Sequence, residues 1–210
     1  SFCRPAIYDP CQRWVFWQYP VWQPLPVVAA GTWVDVPQVI ADEGFDVRLP
    51  KDTLVDGSSR AVIFDGGIPA AAQKALAPWA TQVEPAGLGP SVAAFEEHGL
   101  GVTTAFLFGP LVSGQAPAPP LCAVDHVRVL DDRTGTTRDP DYFDVLDRIV
   151  GHLDKNPGLY SYVNISLGPS LAVDDDEVTL WTAALDKRFA HGKCVATVAA
   201  GNDGELDEAT

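Results

Sequence analysis

Residues 60–68 read Arg-Ala-Val-Ile-Phe-Asp-Gly-Gly-Ile, and this stretch decides the fold. Ala61-Val62-Ile63-Phe64 is a continuous apolar run that stops at Asp65-Gly66-Gly67. A run that is apolar at every position, rather than at every second one, suits a strand buried on both faces. Such strands belong to parallel sheets covered by helices. The expectation is therefore an α/β fold with Asp65 at a strand end.

The flanking sequence extends the same pattern. Val92–Phe95 is a candidate short strand. Gly99–Phe108 is expected to be a helix, since Val102, Ala105, Phe106 and Gly109 recur at helical spacing. The Pro- and Gly-rich stretch 109–120 reads as a surface loop. Leu121–Leu130 reads as a strand. A helix follows from Pro140 through Phe143, Leu146, Ile149, Val150 and Leu153, and Asn156-Pro157-Gly158 ends it. Tyr162–Ser166 is a strand closed by Leu167-Gly168. Asp174–Glu177 is expected to open the next helix, where the dipole favours acids. That acidic run lacks the spaced oxygen ligands of a calcium site. Lys193–Ala199 is the last strand. Strands alternating with helices predict a parallel sheet with helices on both faces. Ligands bind such sheets outside the carboxyl ends of the strands. Asp65, Ser166–Gly168 and Asn202 all fall at those ends.

Residues 1–58 form a Trp/Pro-rich N-terminal segment, with Trp14, Trp17, Trp22 and Trp33 among Pro20, Pro24 and Pro26. Proline at that density suits irregular or short-stranded structure. Residues 59–210 carry the regular pattern. The chain has 210 residues, 47% of them hydrophobic and 20% charged, which is a globular composition. A formal net charge of -14 repels phosphate backbones, so no nucleic-acid partner is expected. No run is long and apolar enough to span a bilayer, so no membrane partner is expected either. Cys3, Cys11, Cys122 and Cys194 form no CxxC pair and no zinc-ligand spacing, so neither a metal nor another cofactor is expected. The chain contains no Met and ends soon after Gly201-Asn202-Asp203-Gly204. Both ends are expected to be cuts within a longer product.

Four short stretches together resemble the subtilisin-like serine peptidases, over roughly residues 60–204. Ala61–Ile68 resembles the catalytic Asp motif of that family. Glu97-His98-Gly99-Leu100-Gly101-Val102 resembles its catalytic His motif. Val163-Asn164-Ile165-Ser166-Leu167-Gly168 resembles its substrate-pairing strand, and Ala199-Ala200-Gly201-Asn202 the motif that supplies an oxyanion Asn. The order Asp, His, then Ser is that of subtilisin. Each match alone is weak, but four in order, each at an expected strand end or helix start, are far stronger. Two departures are plain: Gly66 stands where the family has Thr or Ser, and Leu100 and Gly101 replace the usual Thr and second His.

The resemblance implies a subtilisin-like parallel sheet, incomplete at the C-terminus, with residues 59–210 as the N-terminal part of a peptidase domain. It implies a serine endopeptidase in which His98, at the start of the 99–108 helix, is the general base. Asp65 would hold its tautomer and Asn202 would stabilise the oxyanion. Ser166, Leu167, Gly168, Ala200 and Gly201 would bind an extended peptide or protein substrate. No serine of this chain lies in the family's Gly-Thr-Ser motif. The nucleophile is thus expected beyond Thr210, and this chain alone is expected to be inactive. The alternative is a catalytically inactive peptide- or partner-binding domain. A narrower resemblance, to bacterial subtilases accompanying AAA-type ATPases in defence operons, would imply an ATPase partner. A cytoplasmic location is expected from the absence of a signal-like start. A nucleotide-binding reading is disfavoured because Asp65 and Asp203 would repel phosphate. His126, His152 and His191 are given no role.

Overall fold

The computed structural model describes residues 6–9, 13–16, 49–51, 54–110, 116–134, 142–168 and 178–199. Its centre is strand β3 (Arg60–Asp65), in which Ala61 to Asp65 are all buried. Successive side chains on a strand point to opposite faces, and the two faces of β3 feed two separate cores. Ala61 and Ile63 join Leu76, Trp79, Leu107 and Phe108 on one side. Val62 and Phe64 join Val145, Ile149, Trp181, Leu185 and Phe189 on the other. The uniformly apolar run of residues 61–64 is thus the signature of a central strand with helices on both sides.

Four further strands lie parallel to it: β4 (Ala80–Val83), β5 (Ala123–Arg128), β6 (Tyr162–Ile165) and β7 (Val195–Val198). The order across the parallel part is β7-β6-β3-β5-β4. Helices α1 (Ala70–Leu76) and α2 (Ala93–Phe108) supply the first core. Helices α3 (Tyr142–Lys155) and α4 (Leu180–Phe189) supply the second. The chain therefore leaves β3 towards one face and leaves β5 and β6 towards the other. Such a reversal opens a crevice at the carboxyl ends of the strands. In the N-terminal segment, β1 (Ala6–Asp9) and β2 (Arg13–Phe16) pair antiparallel, and β1 meets β7 at Ile7 and Thr197.

The expected strands and helices from residue 121 onward are present, shortened by a few residues at their ends. Two readings change. Val92–Phe95 is not a strand: Val92 is extended as the N-cap, and Ala93 begins α2. Residues 70–83, given no element from the sequence, hold α1 and β4. The acidic run Asp174–Glu177 lies outside the described residues; α4 is capped by Thr179, whose hydroxyl accepts from the Thr182 amide.

In α3, Val145, Leu146, Ile149 and Leu153 are buried along one stripe, and Ile149 is completely enclosed. Truncating such a side chain loses transfer free energy and leaves a cavity. Ile149→Ala should lower unfolding stability by about 2–5 kcal/mol in urea denaturation, whereas a change below ~1 kcal/mol would contradict the packing of α3 on the sheet.

Candidate active site

The crevice is built around the turn after β3. Asp65 ends the strand with its carboxylate fully enclosed. Its Oδ1 accepts from the Gly66 amide at 2.7 Å and from His98 Nδ1 at 2.8 Å. Its Oδ2 is buried without a hydrogen-bond partner among the described residues. Burying a carboxylate is costly unless donors face it, so the two donors on Oδ1 are what make the placement tolerable. The turn then passes through Gly67, whose φ of 109° is closed to ordinary L-residues.

His98 lies within α2, five residues after its first residue, and not at the helix start as the sequence suggested. The imidazole is partly exposed, with 30% of its side-chain surface accessible, while Asp65 is sealed. An ionised carboxylate only accepts, so Nδ1 carries the proton and donates to Asp65. In the neutral ring Nε2 is then bare and can take a proton. The hydrogen bond to Asp65 holds the His98 pKa above its ordinary 6.5, with burial opposing it. Asp65 therefore both fixes the tautomer and favours the imidazolium that forms when Nε2 accepts a proton.

What lets α2 approach so closely is glycine. A Cβ on Gly99 would lie well under 3.0 Å from the Gly67 carbonyl oxygen and 2.9 Å from His126 Cε1. A Cβ on Gly66 would be driven into Phe95, meeting its carbonyl oxygen at 2.5 Å and its carbonyl carbon at 2.6 Å. The Gly66 departure from the family motif thus has a steric cause. With α2 seated against the turn, neither Thr nor Ser fits there.

The other sequence-nominated residues fall as follows. Ser166, Leu167 and Gly168 directly follow β6, at the same edge of the sheet as Asp65. The Leu167 side chain is buried in the core with α3 and α4. Ser166 Oγ donates to Asn164 Oδ1 at 2.8 Å, and Asn164 Nδ2 donates to Thr197 Oγ1 at 2.9 Å, tying β6 to β7. Ala200, Gly201 and Asn202 lie outside the described residues. Among the described residues no group of three or more His, Cys, Asp or Glu is placed to hold a metal ion, and no helix is long and apolar enough to cross a membrane.

Sequence reasoning missed the residues that brace this site. His126 on β5 is completely buried. Its Nε2 accepts from the Gly67 amide at 3.0 Å and its Nδ1 lies 2.8 Å from Thr103 Oγ1. Gln82 on β4 accepts from the Ile68 amide at 2.7 Å. Arg128 at the end of β5 binds Glu84 and the carbonyls of Gly89 and Leu130. Arg128 also holds the Glu84 carboxyl below its usual range, with burial opposing it. Asp131 accepts from the Gly89 amide and from Arg133 and Arg148. The loop from β4 to α2 is thereby pinned to the end of β5. Polar residues inside an otherwise apolar β5 run were the one available signal.

No family model matches the chain, and no curated protein does. Solved structures similar to it include two proteases. One is the prenylagaramide maturation protease PagA, at 20% identity and a TM-score of 0.48, over 73% of this chain and 50% of that one. The other is a point mutant of the protease domain of PatA, at 22% identity and a TM-score of 0.49, over 72% of this chain and 52% of that one. The chain thus spans about half the length of each.

Gly99→Ala tests the close approach. The added methyl has no free space, and overpacking of this kind costs about 1–3 kcal/mol. The variant should unfold at correspondingly lower urea, with the His98 titration midpoint falling towards 6.5. A stability gain, as expected for Ala in an unobstructed helix position, would contradict the contact.

Proposed function

We propose that this chain is the Asp- and His-bearing part of a subtilisin-like serine endopeptidase. The observation that carries the proposal is the pair itself: a sealed carboxylate 2.8 Å from the Nδ1 of a partly exposed imidazole. That arrangement suits a general base for a hydroxyl nucleophile. In this reading the nucleophilic serine comes from sequence outside the chain, in a Gly-Thr-Ser motif. His98 Nε2 removes its proton as Oγ attacks the peptide carbonyl. The imidazolium then returns that proton to the leaving amine, and water repeats the cycle on the acyl-enzyme. Asn202 is assigned the oxyanion. The backbone of Ser166–Gly168, with that of Ala200 and Gly201, is assigned the extended substrate chain.

The test is covalent labelling of the longer polypeptide with a fluorophosphonate probe. Labelling should occur at a single serine and be lost in His98→Ala. Its rate should fall on acidification with a midpoint above 6.5, because the base works only when His98 is unprotonated and Asp65 raises its pKa. No labelling in a polypeptide that carries the Gly-Thr-Ser motif would overturn the proposal in favour of a peptide-binding domain.

A further inference from the structure

We propose that His126 is a positioning residue for the Asp65–His98 pair, a neutral imidazole that ties the Asp65 turn to the helix carrying His98. The proposal deepens the peptidase reading and rests on it. The geometry is specific. His126 is the Cα partner of Ile63 on β3 and of Gln82 on β4. Its ring meets three features at once. Nε2 meets the Gly67 amide, Nδ1 meets Thr103 on α2, and Cε1 faces Gly99, the residue after His98.

Hydrogen-bond chemistry fixes the state of the ring. A backbone amide only donates, so Nε2 must be bare where it meets Gly67. A neutral imidazole has one N–H, which must then sit on Nδ1 and donate to Thr103 Oγ1. Thr103 is itself fully buried. A charged ring would turn a second N–H against the Gly67 amide and break the link. Burial guards against this by pushing the His126 pKa down to about 4. Of the charged groups facing it, Asp65 on β3 and Glu84 after β4 oppose that shift, and His98 on α2 adds to it. Alongside, Gln82 holds the next amide, Ile68, and is itself oriented by Glu84. Three successive amides of the turn, on Gly66, Gly67 and Ile68, are thus each taken by a side chain. Two of these links continue to α2: the one from Gly66 through Asp65 to His98, and the one from Gly67 through His126 to Thr103.

The experiment uses the 210-residue chain with 15N-labelled histidine. In the unaltered protein at neutral pH, His126 should show a bare Nε2 and a protonated Nδ1. Two variants then separate hydrogen bonding from filling of space. His126→Gln can place Oε1 where Nε2 stood and keep the Gly67 link. His126→Asn is too short to do so. The His98 titration midpoint should stay above 6.5 in the Gln variant and fall towards 6.5 in the Asn variant, as the carboxylate contact loosens. A protonated Nε2 on His126 would overturn the proposal, even if the Asn variant does not fold. So would identical His98 titrations in two folded variants. If these titrations behave as expected while the longer polypeptide never labels with fluorophosphonate, the positioning role stands and the peptidase reading falls.

Discussion

The site depends on one contact, the approach of helix α2 to the turn after β3. Gly99 and Gly67 meet backbone to backbone, and Gly66 meets the backbone of Phe95. No side chain fits between them. That closeness places His98 Nδ1 within hydrogen-bond reach of a carboxylate at the end of a fully buried strand. It also explains how a buried Asp65 is tolerated: the helix delivers one of its two donors and the turn delivers the other.

The rest of the sheet keeps that contact fixed. β5 lies beside β3 through its whole length and carries the side chains that brace the crevice, His126 and Arg128. At the opposite end of the same strands a second polar cluster closes the sheet. Arg60 grips Asp125 at 2.8 and 2.5 Å, the Tyr160 hydroxyl donates to the same carboxylate, and His152 meets that hydroxyl at 2.8 Å. Burial first, and then Asp125, push the Tyr160 phenol above its usual range, so it stays a donor. This second cluster joins β3, β5 and the entry to β6. The central strands are therefore anchored by polar groups at both ends, with apolar packing between.

Legibility in the sequence followed the physics of each element. β3 was readable because its apolar run is uninterrupted and glycine ends it. α3 was readable because Val145, Leu146, Ile149 and Leu153 repeat at helical spacing. α1 and β4 were not, because Leu76 is the one buried residue of α1 and Ala80 the one buried residue of β4. Neither element has an apolar stripe to betray it. The start of α2 was misread because Val92 and Phe95 flank two alanines, which look like a short strand. The helix prevails because Ala93, Ala94, Glu96 and Glu97 are strong helix formers. Asp65 and His98 were found by the motifs around them. His126 was invisible in that role, since its partners Gly67 and Thr103 are far from it in sequence and local patterning cannot show that they converge.

The central claim is that Asp65 and His98 form a hydrogen-bonded acid–base pair. The most direct measurement is the proton spectrum of the chain in its far low-field region. A resonance from the His98 Nδ1 proton should appear there, shift as His98 titrates with a midpoint above 6.5, and vanish in Asp65→Ala. A folded protein with no such resonance, or one unchanged in Asp65→Ala, would contradict the account.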